Sequence, residues 1–137
     1  MQIGMFYQIQ VPKPWTPTSD FDRYWEMMDQ VVLAEELGFG SVWLAAHQFR
    51  TEWSHSSAPD VTLSAISQRT SGIRLGIAVA VPPVEHPLHI AARTATLDIL
   101  SNGRVDLGVG RSGYPYQMAA FGTDLSDATG MVDEALE

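Results

Sequence analysis

The 137-residue sequence is 45% apolar, enough to build a core and too much for a disordered chain. Its net charge of −8 and eight scattered Lys and Arg offer no basic track for nucleic acid or an anionic membrane surface. The absence of cysteine excludes disulfides, thiol catalysis and thiolate metal sites, and suits a cytoplasmic setting.

Ile3–Ile9 reads as a first strand, without the basic and apolar blocks of a signal peptide. No apolar run approaches the roughly 20 residues of a membrane span, so a soluble protein is expected. Val11–Pro17, with three prolines, reads as loop. From Asp20, helical spacing sets Phe21, Tyr24, Trp25, Met28, Val31, Val32 and Leu37 on one face, and Gly38 stops the helix. Ser41–Ala46 is a second strand, apolar on both faces as in parallel sheets covered by helices. A polar loop, Gln48–Ala58, leads to Pro59 at the start of a second helix running to Arg69. Ile73–Val81 is a third strand, closed by Pro82 and Pro83. Pro87 opens a third helix whose apolar face is expected to be Leu88, Ala91, Ala92, Ala95 and Ile99, ending at Ser101-Asn102-Gly103. Arg104–Gly110 is a fourth strand, Arg111–Gly122 a loop, and a fourth helix begins at Ser126.

Strand starts about 30 to 40 residues apart match the βαβ unit with its right-handed crossover. Four such units suit a barrel or an open doubly wound sheet. The chain ends inside a helix with no cap and leaves two strand edges unpaired, so the first half of a single (β/α)8 domain, truncated at 137, is expected.

In parallel α/β folds ligands bind beyond the carboxyl ends of the strands. Three exits carry chemistry. After strand two stands His47, a candidate base or hydrogen-bond donor, or else a tether for the following loop. After strand three, His86 lies between proline turns, and His89 three residues on; without a carboxylate at helical spacing they make no metal site. After strand four, Arg111 can hold a phosphate or carboxylate in a forked pair, or bridge to Asp124 or Asp127. His55 reads as an exposed loop residue. Gly108-Val-Gly110-Arg-Ser-Gly113 matches GxGxxG formally, but Tyr114-Pro115-Tyr116 interrupts the helix that a dinucleotide fingerprint requires. Gly108 and Gly110 are better read as removing side chains where the barrel interior or a ligand comes close. Phe6, Trp43 and Tyr114 are aromatic neighbours of this rim.

An ordered set of segments resembles the bacterial-luciferase-like flavin-dependent monooxygenase family. The segments are Glu36-Leu-Gly-Phe-Gly-Ser-Val-Trp-Leu-Ala-Ala-His-Gln-Phe49, Arg69-Thr-Ser-Gly-Ile-Arg-Leu-Gly-Ile-Ala-Val-Ala-Val-Pro82, His86-Pro-Leu-His-Ile-Ala-Ala92, Leu97-Asp-Ile-Leu-Ser-Asn-Gly-Arg-Val-Asp-Leu-Gly-Val-Gly-Arg111 and Phe121-Gly-Thr-Asp124. The resemblance implies the N-terminal half of a TIM-type barrel enzyme. Such an enzyme takes reduced FMN from a reductase (less often the deazaflavin F420), binds O₂ as a C4a-peroxyflavin and oxygenates a small organic substrate. It assigns His47 as the catalytic histidine, Arg111 to the flavin phosphate, Gly110 to the cofactor site, and Ala78-Val79 as a cis non-proline peptide under the ring. Phe6, His86 and Tyr114 fall on the substrate side, and a homo-oligomer is implied. Where the family often reads Glu-His-His-Phe, this chain reads Ala46-His47-Gln48-Phe49, which removes a carboxylate beside His47. That departure keeps a non-catalytic flavin-binding or partner subunit as the alternative.

Overall fold

The computed structural model describes residues 1–137; strands and helices alternate as far as the fourth strand, which two helices follow. Strand β1 (Gly4–Tyr7) is followed by α1 (Ser19–Glu36), whose first turn holds Asp20 and Asp22 at the positive end of the helix dipole. Gly38, at φ 85°, reverses the chain as only a residue without a Cβ does easily. Next come β2 (Ser41–Leu44) and α2 (Pro59–Ser67), which begins on its proline. Strand β3 (Arg74–Ala80) runs into a short 3-10 turn at Pro82–Val84. Helix α3 (Pro87–Ser101) stops at Asn102 and Gly103, both left-handed. Strand β4 (Val105–Val109), α4 (Pro115–Ala120) and α5 (Ala128–Leu136) complete the chain.

All strand pairs are parallel and the order is β1-β2-β3-β4, with Gly4 opposite Ser41, Trp43 opposite Gly76 and Gly76 opposite Asp106. A doubly wound sheet reverses its order at a switch point, and this sheet never reverses, so the winding is that of a barrel. One face carries Val42, Leu44, Leu75 and Ile77, which pack on Met27, Met28, Val31 and Ala34 of α1, Leu63 and Ile66 of α2, and Ile90 and Leu97 of α3. Burying each such side chain contributes about 1.5–3 kcal/mol. The other face carries Phe6, Trp43, Gly76 and Asp106. Trp43 lies flat over Gly76, where a Cβ would stand 2.2 Å from the indole carbons. Arg74 forks onto Asp106, with Nε–Oδ2 at 2.7 Å and Nη2–Oδ1 at 2.5 Å.

Three expectations about the helices are overturned. The sheet-facing stripe of α3 is Ile90, Thr94, Leu97 and Ser101, at helical spacing, and the Leu88/Ala91/Ala92/Ala95/Ile99 face points outward. Leu88 and Ile99 are 71% and 79% exposed. Thr94 and Ser101 make the inner stripe look polar, which disguised it. Residues 111–122, read as loop, contain α4, because Pro115 starts a helix at its first position rather than breaking one. On α1, Phe21 and Trp25 also stay outside the core, tilted on each other at 5.8 Å, with Arg69 over Trp25.

At the amino-terminal end of β4, Arg104 is only 8% exposed. Its Nε donates to Ser101 O (2.7 Å), Nη1 to Thr70 Oγ1 (2.9 Å) and Ile73 O (3.1 Å), and Nη2 to Ser67 O (2.8 Å) and Thr70 O (3.1 Å). Ser67 and Ser101 are the last residues of α2 and α3, so one cation closes the negative ends of two helices. Nearby, Glu35 accepts from the backbone N–H groups of Ser71 (2.9 Å), Gly72 (2.5 Å) and Ile73 (2.8 Å), tying α1 to the turn before β3.

Candidate functional site

The β2 exit is held by hydroxyl groups. Ser56 Oγ donates to Ala45 O at 2.6 Å and Ser54 Oγ to Gln8 O at 2.5 Å, while His47 N donates to Ser56 O at 2.8 Å. Ser54 and Ser56 are buried, so the loop folds back over the end of the sheet instead of trailing in solvent. His55, expected to be exposed, has a side chain only 11% exposed. Its Nδ1 meets Asp20 Oδ1 at 2.5 Å, its Nε2 meets Thr51 O at 2.9 Å, and its ring edges against Trp15. The partner Asp20 lies 35 positions away, beyond the reach of local reading.

This fold-back brings His47 to the β4 exit. Its half-buried imidazole packs edge-on to Tyr114, ring centroids 5.6 Å apart. Tyr114 also meets Trp53 at 6.2 Å and Tyr116 at 5.6 Å, and the Arg50 guanidinium stacks over both Trp53 (4.6 Å) and Tyr116 (5.6 Å). Burial, with the Arg50 charge second, holds His47 below the usual histidine range. It is therefore neutral at pH 7 and able to accept a proton.

Between these exits lies β3, whose Ala78–Val79 peptide bond is cis. The glycines of β4 adjoin it. A Cβ at Gly108 would stand 2.8 Å from Ile77 O and 3.1 Å from Val79 Cγ1, and one at Gly110 2.8 Å from Val79 Cγ2. Their missing side chains thus make way for Val79 and the β3 backbone. Gly110 N donates to Ala80 O at 2.9 Å, which fixes Arg111 one residue beyond. Arg111 is exposed and forms no ion pair; Asp124 accepts instead from Ser126 N and Oγ, both at 2.8 Å.

Not every candidate joins this rim. His86 is the N-cap of α3, its Nδ1 accepting from Leu88 N at 3.2 Å, with its ring 5.8 Å from that of His89. Phe6 lies exposed on the far face of β1, in register with Trp43. At the β1 exit, Gln8 Oε1 is buried without a hydrogen-bond partner. A cavity of about 370 Å³ sits at the exits of β2 and β3, lined by Gln48, Val79, Asp60, Glu85, Arg93 and Gln117 among others. It includes Val79 but neither His47 nor Arg111, because Gln48 turns to Gln117 while His47 turns to Tyr114.

The model of the luciferase-like monooxygenase family matches residues 1–137. The chain belongs to that family. Among solved structures, the monooxygenase RslO1 of Streptomyces bottropensis superposes with a TM-score of 0.88 at 30% identity, covering 99% of this chain and 41% of that one. The oxygenating constituent of 3,6-diketocamphane monooxygenase of Pseudomonas putida, solved with FMN, shares the fold at 22% identity and a TM-score of 0.87, covering 99% and 37%. An F420-dependent glucose-6-phosphate dehydrogenase of Amycolatopsis mediterranei is 38% identical over 62% of this chain and 26% of its own length. The chain spans about a third of the length of the curated relatives it matches. Its sheet corresponds to the N-terminal part of the family's barrel. Sequence reading did not single out Gln8, Arg50, Trp53, Tyr116 or Gln117 at this rim. The aromatic density of the β2 and β4 loops was the available signal.

Proposed function

We propose that this chain carries the flavin-facing rim of an FMN-dependent monooxygenase, with His47, Ala78, Val79, Gly110 and Arg111 on the cofactor side. The observation that carries the reading is the pairing of a neutral imidazole with an unpaired guanidinium at the two exits that flank β3. An anionic, planar cofactor fits these residues. Arg111 has all its donors free for a phosphate. The orphaned Gln8 Oε1 would be satisfied by an N–H donor such as a flavin ring provides.

Bound in its reduced form, the flavin supplies the electrons that activate O₂. His47 accepts or returns a proton at a ring nitrogen, and the Tyr114–Trp53–Tyr116 cluster shields it from water on one side. A small organic substrate would lie against Tyr114 at the rim, with Phe6 and His86, which stand off the rim, at its outer margins. A separate reductase supplies the reduced flavin, a reading supported by the relative described as an oxygenating constituent. A second copy of the chain is the proposed protein partner, meeting the uncovered Leu88/Ala92/Ile99 face of α3.

Titration of the protein with FMN, followed by flavin fluorescence, tests the site. Wild type should quench FMN, and Arg111→Ala should bind at least tenfold more weakly, since a hydrogen bond to a charged group contributes about 1.5–3 kcal/mol. Unchanged affinity in Arg111→Ala would sink the phosphate assignment. Tighter binding of F420 than of FMN would move the chain to the deazaflavin branch. Flavin binding without oxygenation, once reduced flavin and O₂ are supplied, would favour the non-catalytic subunit.

A further inference from the structure

Gln117, on α4, is 2% exposed, yet both ends of its amide are hydrogen-bonded. Its Nε2 donates to Gln48 Oε1 at 2.5 Å, and its Oε1 accepts from Ser112 Oγ at 3.1 Å. Beyond those partners the chain of bonds continues in one sense. Tyr114 N donates to Ser112 Oγ at 3.2 Å, and Gln48 Nε2 donates to Ser57 O at 3.2 Å. A directed relay therefore runs from Tyr114 through Ser112, Gln117 and Gln48 to Ser57, joining the β4 exit loop to the β2 exit loop. Bonds aligned in series in a low-dielectric setting polarise one another and rigidify the groups they join. The relay also passes next to Arg111, since Ser112 is the following residue and is held at φ 65°.

We infer that the Gln48–Gln117 amide pair positions the rim, holding Tyr114 against the His47 imidazole and fixing the loop that carries Arg111. Gln48 is then not a weakened substitute for a base but one jaw of a clamp, and Gln117 is the other. Both jaws are amides, so the joint itself carries no titrating group. The titratable or charged groups facing His47 are Arg50 from its own loop and Tyr114 from the β4 exit; no carboxylate hydrogen-bonds to it. The inference takes from the proposed function only that His47 and Arg111 serve one site.

The test needs no flavin in its first arm. The imidazole resonances of His47 are titrated by NMR in wild type, Gln117→Leu, Gln48→Leu and the double variant. Gln117→Leu keeps most of the buried volume and removes both hydrogen bonds. Each single variant should move the His47 midpoint upward, toward that of a solvated histidine, as Tyr114 releases the ring. The double variant should move it no further than either single one, because one broken link opens the whole relay. An unmoved His47 midpoint in a folded Gln117→Leu protein, or additive shifts, would overturn the clamp. Should Gln117→Leu fail to fold, Ser112→Ala breaks the same relay at a partly exposed hydroxyl and must give the same upward shift. In a second arm, FMN affinity of wild type is measured. No FMN binding with an intact clamp effect would remove the flavin reading and leave the positioning role standing.

Discussion

Arg104 offers the sharpest check on how this half of the barrel is held together. Its five guanidinium N–H groups all reach acceptors: the carbonyls of Ser67, Thr70, Ile73 and Ser101 and the Thr70 hydroxyl. A lysine at this position presents at most three donors from one nitrogen, so Arg104→Lys leaves at least two acceptors unpaired near the ends of α2 and α3. Each buried acceptor left without a partner costs about 1–3 kcal/mol, and some admit water, so a loss of about 2–4 kcal/mol is expected. Arg104→Met removes the charge as well and should cost more, about 3–5 kcal/mol, against a typical total of about 5–15 kcal/mol. In urea, with a slope near 2 kcal/mol per molar, the lysine variant's midpoint should fall by about 1–2 M. Circular dichroism and tryptophan fluorescence would both follow it. A lysine variant within about 0.3 M of wild type at unchanged slope would refute the forked-donor argument. Equal losses for lysine and methionine would show instead that the charge contributes nothing.

His47 should titrate below the ordinary histidine value of about 6.5 when followed by NMR. Because the fold favours its neutral form, its contribution to stability is full above about pH 6.5 and is lost as pH falls through the depressed folded value. Arg50→Ala should raise the midpoint without restoring it fully, since burial is the larger cause. At Glu35, burial pushes the carboxyl up, but the amides of Gly72, Ile73 and Ser71 and the charge of Arg104 outweigh it and hold it below the usual carboxylate range. Its contribution is present above the ordinary carboxylate value and lost as pH falls through the lowered one. Wild type and Glu35→Gln should therefore differ in urea midpoint at pH 7 and converge as pH falls through the lowered Glu35 value; a constant difference would contradict this. Gly76→Ala places a Cβ 2.2 Å from the Trp43 indole and should cost about 1–3 kcal/mol, with a shifted Trp43 emission.

The four strand–helix units were legible because period and punctuation agree along the chain. Pro59, Pro87 and Gly38 stand where the helices start or stop, within a residue or two of the boundaries read from sequence. What was not legible depends on partners distant in sequence. The inner stripe of α3 contains Thr94 and Ser101, so the more apolar Leu88/Ala92/Ile99 face looked like the buried one. His55 looked like a polar loop residue because its partners, Asp20 and Trp15, lie on other elements. Gln117 was hidden inside a segment read as loop, and a glutamine carries no chemical signature until its partner is known. His47 and Arg111 were legible for a different reason: ionisable residues directly at strand exits are few.

The two ends of the sheet perform separate work, and this separation can be argued from the residues. At the amino-terminal ends of the strands, Arg104 and Glu35 bind backbone groups almost exclusively, so their effect is to hold elements together. At the carboxyl ends, Gln117, Gln48, Ser112 and Tyr114 hold loops rather than elements, and what they orient is His47 and Arg111. The five residues of β4 place these networks about 16 Å apart along the strand, with no shared partner. Combined Arg104→Lys and Gln117→Leu losses in stability should then add within about 0.5 kcal/mol. The His47 midpoint, in contrast, should respond to the Gln117 substitution alone. Coupling of Arg104 to His47 would mean that the barrel wall transmits strain along β4, and the division between scaffold and rim would have to be abandoned.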